Sequence, residues 1–85
     1  MQLTDTQHRI LVALCRPARG GSGFAPPATN QEIADEVFLS VDAVKMHLRR
    51  LFASFELTDM PQNEKRARLA ECVLHYGLIS EHDLH

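Results

Sequence analysis

The sequence predicts a compact all-α fold of four helices, with a long Gly/Pro-rich loop between the first and the second. Apolar residues recur at helical spacing in four segments, and capping-box patterns precede two of these segments. Three of the four glycines and three of the four prolines fall within residues 17–28, where they interrupt regular structure. The chain has 85 residues, of which 45% are hydrophobic and 24% charged, so we expect a single globular domain.

The first helix is expected at residues 4–15. Thr4 and Gln7 have the spacing of a capping box, in which each side chain bonds a backbone N–H of the other. Arg9 and Arg16 lie on the side expected to face solvent, where a solvated charge is the ordinary role. The side expected to face the core carries Ile10, Leu11, Leu14 and Cys15.

The loop at residues 17–28 is expected to contain no helix and no inner strand. Its run of Gly20, Gly21, Ser22 and Gly23 has the glycine content of a phosphate-binding loop. It lacks the Lys-Ser/Thr pair and the preceding strand that such a loop requires. The sequence therefore favours a flexible loop anchored by Phe24.

Residues 30–52 predict two helices joined by a tight turn, and the rest of the chain supports this pair. Thr29 and Glu32 form the second capping box, so the second helix is expected to begin at Asn30. Phe38 and Leu39 are expected to turn the chain. The core-facing residues of this helix are expected to be Ile33, Ala34 and Val37.

The third helix is expected at residues 41–54, with Ser40 as its N-cap. At about 100° per residue, its residues separate into two faces. The buried stripe is expected to contain Val44, Leu48, Leu51, Phe52 and Phe55. The opposite face is expected to contain Asp42, Lys45, Met46, Arg49 and Ala53, with Arg50 at one shoulder. His47 falls beside the stripe and is interpreted as a flank or core histidine.

The fourth helix is expected at residues 60–76. Asp59 followed by Gln62 is a start signal, Pro61 is tolerated in the first turn, and Gly77 is expected to end the helix. Its core-facing residues are expected to be Leu69, Cys72, Val73 and Tyr76. Lys65, Arg66 and Arg68 are interpreted either as solvated charges or as contacts to phosphates or a partner. Leu78 and Ile79 are expected to pack on the core, and residues 80–85 to form one more turn or to fray.

Parts of this pattern resemble a known family. Glu32-Ile33-Ala34, Phe38-Leu39-Ser40 and Val44-Lys45-Met46-His47-Leu48 are similar to the conserved motif of the LuxR/NarL-type helix-turn-helix, over about half of the chain. The resemblance implies a DNA-binding domain whose recognition helix, residues 41–54 here, lies in the major groove. It also implies that Lys45, Met46 and Arg49 face bases and phosphates.

The chain departs from that family at two points. Ala43 stands where the family usually has threonine, and the link before Thr29 is far longer than usual. With Pro61-Gln62-Asn63 and Lys65-Arg66-Ala67-Arg68-Leu69 included, the sequence resembles the C-terminal helix-turn-helix of actinobacterial proteins that carry an upstream forkhead-associated (FHA) domain. The resemblance implies that this chain is the C-terminal part of a longer regulator.

The distribution of charge is uneven. The formal net charge is −2, but residues 45–68 contain six basic and three acidic residues, whereas residues 1–44 and 69–85 are net acidic. A localised positive field is compatible with nucleic-acid binding, and the acidic remainder predicts modest intrinsic affinity. We therefore expect dimerisation or a second domain to supply much of the binding.

Cys15 and Cys72, the two cysteines, fall on core-facing positions and are expected to be free thiols. No recognised zinc pattern matches the spacing of the C-terminal cluster His75, His82, Asp83 and His85. We therefore expect no metal and no cofactor. No apolar run approaches the roughly 18 to 20 residues of a membrane span, and a signal-peptide core is lacking, so a cytoplasmic location is expected.

Three classes of function follow from these observations. The leading one is sequence-specific binding of double-stranded DNA by a bacterial transcription regulator, as a homodimer. The second is a protein-interaction module that uses the same surface against an acidic partner. An enzyme is the third and least favoured class, because its only nucleophile candidates are the two core-facing cysteines. The predicted DNA-binding residues are Asn30, Ser40, Asp42, Lys45, Met46, Arg49, Arg50, Lys65, Arg66 and Arg68.

Overall fold

The computed structural model describes residues 3–18 and 27–84, and within those two ranges it contains helices and no strand. The helices are α1 (Asp5–Cys15), α2 (Asn30–Val37), α3 (Val41–Ser54) and α4 (Gln62–His75). Single 3-10 turns lie at Arg16–Ala18 and Glu81–Leu84. The predicted all-α class is confirmed.

Helix α1 is the centre of the fold, because it contacts α2, α3, α4 and the C-terminal 3-10 turn. Its predicted capping box is present: the Gln7 N–H donates to Thr4 Oγ1 at 3.0 Å, and the Thr4 N–H donates to Gln7 Oε1 at 3.1 Å. Besides the four predicted core residues, it also buries Val12 and Ala13. Helical spacing predicts one buried face, whereas a helix with neighbours on several sides buries residues around most of its surface.

The arginines of α1 are not simply solvated, and that expectation is wrong for Arg16. Arg16 forms an ion pair with Glu36, with 2.9 Å between Nη2 and Oε2, and donates from Nη1 to the carbonyl oxygen of Leu84 at 2.7 Å. Arg9 is exposed but donates to the Val37 carbonyl at 3.3 Å. Carbonyl groups in the last turn of a helix lack hydrogen-bond donors within that helix, and Arg9 supplies a donor for the last carbonyl of α2.

Helices α2 and α3 are joined by three residues, as predicted. The second capping box is present, with the Glu32 N–H donating to Thr29 Oγ1 at 3.1 Å. Phe38 ends α2 in the left-handed region, with φ of 60°. Ser40 then caps α3 by accepting a hydrogen bond from the Ala43 N–H at 3.1 Å.

The faces of α3 agree with the prediction. The side chains of Val44, Leu48, Leu51 and Phe52 are buried, and Phe55 is half-buried. Leu57 is a core residue that helical spacing does not predict. Glu56 has φ of 59° and turns the chain back, so the Leu57 N–H reaches the Phe52 carbonyl at 2.8 Å and its side chain enters the core.

Helix α4 is shorter than the predicted 60–76, because it begins two residues later and ends one residue earlier, at His75. It begins at Gln62 rather than at residue 60, and Pro61 stands at the N-cap position, where no side chain of the described residues forms a cap hydrogen bond. Asp59 is therefore not a cap. Gly77, with φ of +74°, ends the helix as predicted. Leu69 and Val73 are buried and Cys72 is half-buried.

Tyr76 was expected in the core, and this is wrong, since its side chain is 70% exposed. Gly77 turns the chain so that the N–H groups of Leu78 and Ile79 both donate to the Val73 carbonyl. Ile79 is thereby buried beside Val73 and fills the core at the end of the helix. Leu78 is half-buried, so the predicted packing of this pair is confirmed.

The C-terminal segment forms one more turn rather than fraying. The Ser80 N–H donates to Asp83 Oδ2 at 3.0 Å, and this hydrogen bond is the main reason why the pKa of Asp83 is lowered. Leu84 is buried against the core. The 3-10 turn at Arg16–Ala18 occupies the start of the predicted loop, where no helix was expected.

Beyond this turn, the predictions for residues 20–23 and for Phe24 lie outside the described residues. The second described range begins at residue 27, and in it Ala28 is buried and its N–H donates to the Leu14 carbonyl at 3.2 Å. In the described part of the chain, none of the helices has the length and apolar character that crossing a membrane requires.

Candidate nucleic-acid interface

The exposed face of α3 carries the predicted residues Asp42, Lys45, Met46, Arg49 and Arg50, and all five side chains are exposed. The opposite face is fixed by the core residues of the same helix, so rotation of α3 is excluded without unpacking the fold. Among residues 3–18 and 27–84, no hydrogen bond or ion pair engages the side chains of the three cations. Their charges are therefore available to an external anion.

Two of these cations meet a third from α4. A cavity of about 350 Å³, which we call the α3–α4 cavity, lies where the first turn of α4 approaches the middle of α3 and the start of α2. Its basic lining residues are Lys45, Arg49 and Lys65. The remaining lining residues that the structure describes are Asn30, Leu48, Phe52 and Gln62. Lys65 Nζ lies 5.4 Å from the centroid of the Phe52 ring, within the range of a cation–π contact.

Arg66 has a structural position. Its Nη1 donates to Asn30 Oδ1 at 2.6 Å, and its Nη2 donates to the carbonyl oxygen of Ala28. The side chain is half-buried, and desolvation lowers the pKa of Arg66. These bonds tie α4 to the start of α2. Asn30 and Arg66, both predicted DNA-binding residues, thus satisfy each other inside the protein.

The other predicted residues take different positions. Arg68 is exposed, and its Nη1 lies 3.8 Å from Glu71 Oε2 one turn along α4. An exposed pair of this kind contributes little to stability. The Ser40 hydroxyl accepts the capping hydrogen bond of α3 and remains exposed beside Asp42. The three predicted basic residues of α4, which are Lys65, Arg66 and Arg68, therefore have three different environments.

His47 is half-buried beside the buried stripe, as predicted. Its Nδ1 is buried and has no hydrogen-bond partner among the described residues. It does not belong to the exposed face of α3.

Phe38 was not predicted as a surface feature, but it is 88% exposed in the turn between α2 and α3. Its left-handed backbone conformation directs the chain into α3, and hydrophobic spacing carries no signal for such a position.

The two cysteines have different environments. Burial raises the pKa of the Cys15 thiol to about 12, so the thiolate is strongly disfavoured at neutral pH. Cys72 is half-buried, and both cysteines are free thiols. Within the described ranges no group of three His, Cys, Asp or Glu side chains is placed to hold a metal ion. His85, one of the four C-terminal residues for which no metal was expected, lies outside those ranges.

No protein-family model matches this chain, and comparisons with curated proteins and with solved structures give no match either. The candidate site is therefore defined by its own geometry. It consists of the exposed face of α3 and the adjoining α3–α4 cavity.

Proposed function

We propose that this chain is a sequence-specific, double-stranded DNA-binding domain of a bacterial transcription regulator, with α3 as the recognition helix. The observation that carries the proposal is the exposed face of α3, where Lys45, Arg49 and Arg50 have no carboxylate partner among the described residues. A short helix, a three-residue link and a longer second helix form the unit that places a helix in the major groove in helix-turn-helix proteins. The LuxR/NarL-type resemblance of residues 32–48 supports the same proposal.

The side chains on this face have the chemistry needed to distinguish base pairs. An arginine donates two hydrogen bonds to guanine, an aspartate accepts from the cytosine amino group, and an apolar side chain contacts the thymine methyl group. Arg49, Asp42 and Met46 supply one residue of each type. Ser40 caps the N-terminus of α3 and so fixes where this helix begins. In helix-turn-helix proteins, the N-terminal residues of the recognition helix contact the bases.

Selection of binding sites from random duplex DNA tests this function. The purified protein is expected to enrich a defined motif, and its affinity for that motif is expected to fall steeply as salt rises, because bound counterions are released from phosphates. Fluorescence anisotropy over a series of salt concentrations gives the slope. Absence of an enriched motif, together with no duplex binding at low salt, refutes the proposal.

A protein-interaction module is the second candidate, and exposed aromatic residues favour it. Phe38 is 88% exposed beside the recognition face, and Tyr76 is 70% exposed at the end of α4. Aromatic side chains are enriched at protein interfaces. A partner held by these residues would bind with weak dependence on salt, whereas duplex DNA would not. We also propose that the domain binds DNA as a homodimer and that an FHA or other regulatory domain lies upstream.

A further inference from the structure

We propose that the α3–α4 cavity binds a phosphate group of the DNA backbone, and that Lys65 is the contact that α4 contributes to it. This inference rests on the proposed function, because it requires duplex DNA to lie along α3. Of the three basic residues near the start of α4, Lys65 contacts DNA in this proposal, whereas Arg66 and Arg68 do not.

The charge of the cavity is the first argument. Lys45, Arg49 and Lys65 line it from two helices, and no acidic residue is among the described residues that line it. Lys45 and Arg49 are four residues apart on α3, where like charges repel. Like charges around one concavity repel each other, and a bound anion reduces that repulsion.

The position of the helix end is the second argument. Gln62, the first residue of α4, lines the cavity at the first turn of the helix, where free backbone N–H groups carry the positive end of the dipole, whereas the Lys65 N–H is already bonded to the Pro61 carbonyl at 2.9 Å. The described residues supply no side chain to cap that turn. Glu64 is in the same turn but does not line the cavity. An anion in the cavity therefore lies near the positive end of the α4 dipole as well as beside three cations.

The environment of Lys65 distinguishes it from its neighbours. The ring of Phe52 lies beneath its ammonium group and holds it at the cavity, whereas Arg66 is occupied by Asn30 and Ala28. Arg68 lies beside Glu71 and does not line the cavity. A lysine ammonium is a compact point charge suited to a single phosphate.

Duplex-binding measurements over a series of salt concentrations test the inference, with Lys65→Gln as the test variant and Arg68→Gln as the matched control. Each phosphate contact contributes about 0.9 to the slope of log K against log salt. Lys65→Gln is expected to reduce the magnitude of the slope by about that amount and to weaken selected and unrelated sequences alike. Arg68→Gln is expected to leave the slope unchanged. Lys65→Arg keeps the charge and is expected to restore the parent slope.

A second variant guards against a folding defect in Lys65→Gln. Gln62→Glu places a carboxylate at the cavity without removing the contact between Lys65 and Phe52, and an acid at a helix N-terminus favours the helix. It is expected to reduce the slope as Lys65→Gln does, while the far-UV circular dichroism spectrum of the parent is retained.

The outcomes separate this inference from the proposed function. If the parent binds duplex DNA but Lys65→Gln and Gln62→Glu keep its slope, the phosphate site is wrong and the DNA-binding function stands. If Arg68→Gln reduces the slope as much as Lys65→Gln, the selectivity for Lys65 is wrong. If the parent binds no duplex, the proposed function fails and the inference fails with it. Thermal stabilisation by inorganic phosphate over chloride at equal ionic strength, with an unchanged slope in Lys65→Gln, would identify a site for free anions instead.

Discussion

Replacement of Arg66 by alanine is expected to destabilise the domain without changing its salt-dependent contacts to DNA. The substitution removes two hydrogen bonds from a charged donor and leaves Asn30 Oδ1 and the Ala28 carbonyl without that partner. Hydrogen bonds to a charged group contribute about 1.5 to 3 kcal/mol. Because the site is half-buried, water replaces part of the lost interaction, so the lower end of about 1.5 kcal/mol is the better expectation for the pair.

Thermal unfolding followed by circular dichroism measures this effect. For a domain of this size, 1 kcal/mol corresponds to a change of about 4 to 8 °C in Tm, so Arg66→Ala is expected to lower Tm by about 6 to 12 °C. Arg68→Ala is the matched control, because Arg68 lies two residues away and its partner among the described residues is Glu71, in an exposed ion pair. Its Tm is expected to change by no more than about 2 °C. Equal Tm values for the two variants would refute the structural role of Arg66.

Three further outcomes are expected. Lys45→Ala and Arg49→Ala should each weaken duplex binding while the helical circular dichroism signal remains. Loss of a bidentate base contact costs about 1 to 3 kcal/mol and relaxes specificity at one base pair. Unchanged low-salt affinity in both variants would exclude α3 as the recognition helix. Leu48→Ala should lower the free energy of unfolding by about 2 to 5 kcal/mol, a large part of a total of about 5 kcal/mol, because this side chain is only 2% exposed. Met46→Ala is the exposed control, and equal denaturation midpoints for the two variants would mean that α3 is rotated. Two half-sites about 34 Å apart should be bound far more tightly than one, and about five inserted base pairs should abolish the gain; equal affinity for both spacings would indicate a monomer.

The local features of the fold were predictable from the sequence because their causes are local. Thr4, Thr29 and Ser40 cap their helices through residues three positions ahead, so the pattern and the interaction occupy the same few residues. The two faces of α3 follow from helical periodicity and a single direction of burial.

Features that depend on contacts between distant segments were not predictable. Lys65, Arg66 and Arg68 are equivalent in the sequence, and only the approach of α4 to α2 and α3 gives them separate roles. Tyr76 fits the core spacing of α4, but the turn after it delivers Ile79 to that place. For the same reason, the sequence predicts all three basic residues of α4 as one group and does not separate Lys65, which lines the cavity, from the other two.

The hydrogen bond between Arg16 and the carbonyl of Leu84 joins residues 68 positions apart, from the end of α1 to the C-terminal turn. Leu84 is buried in the same core as six residues of α1, and a contact of such long sequence separation costs loop-closure entropy when it forms. A ribosome releases the chain from its N-terminus, so all four helices emerge before this last turn does. This hydrogen bond can form only after residue 84 has been synthesised, and before then the partner left to Arg16 among the described residues is Glu36.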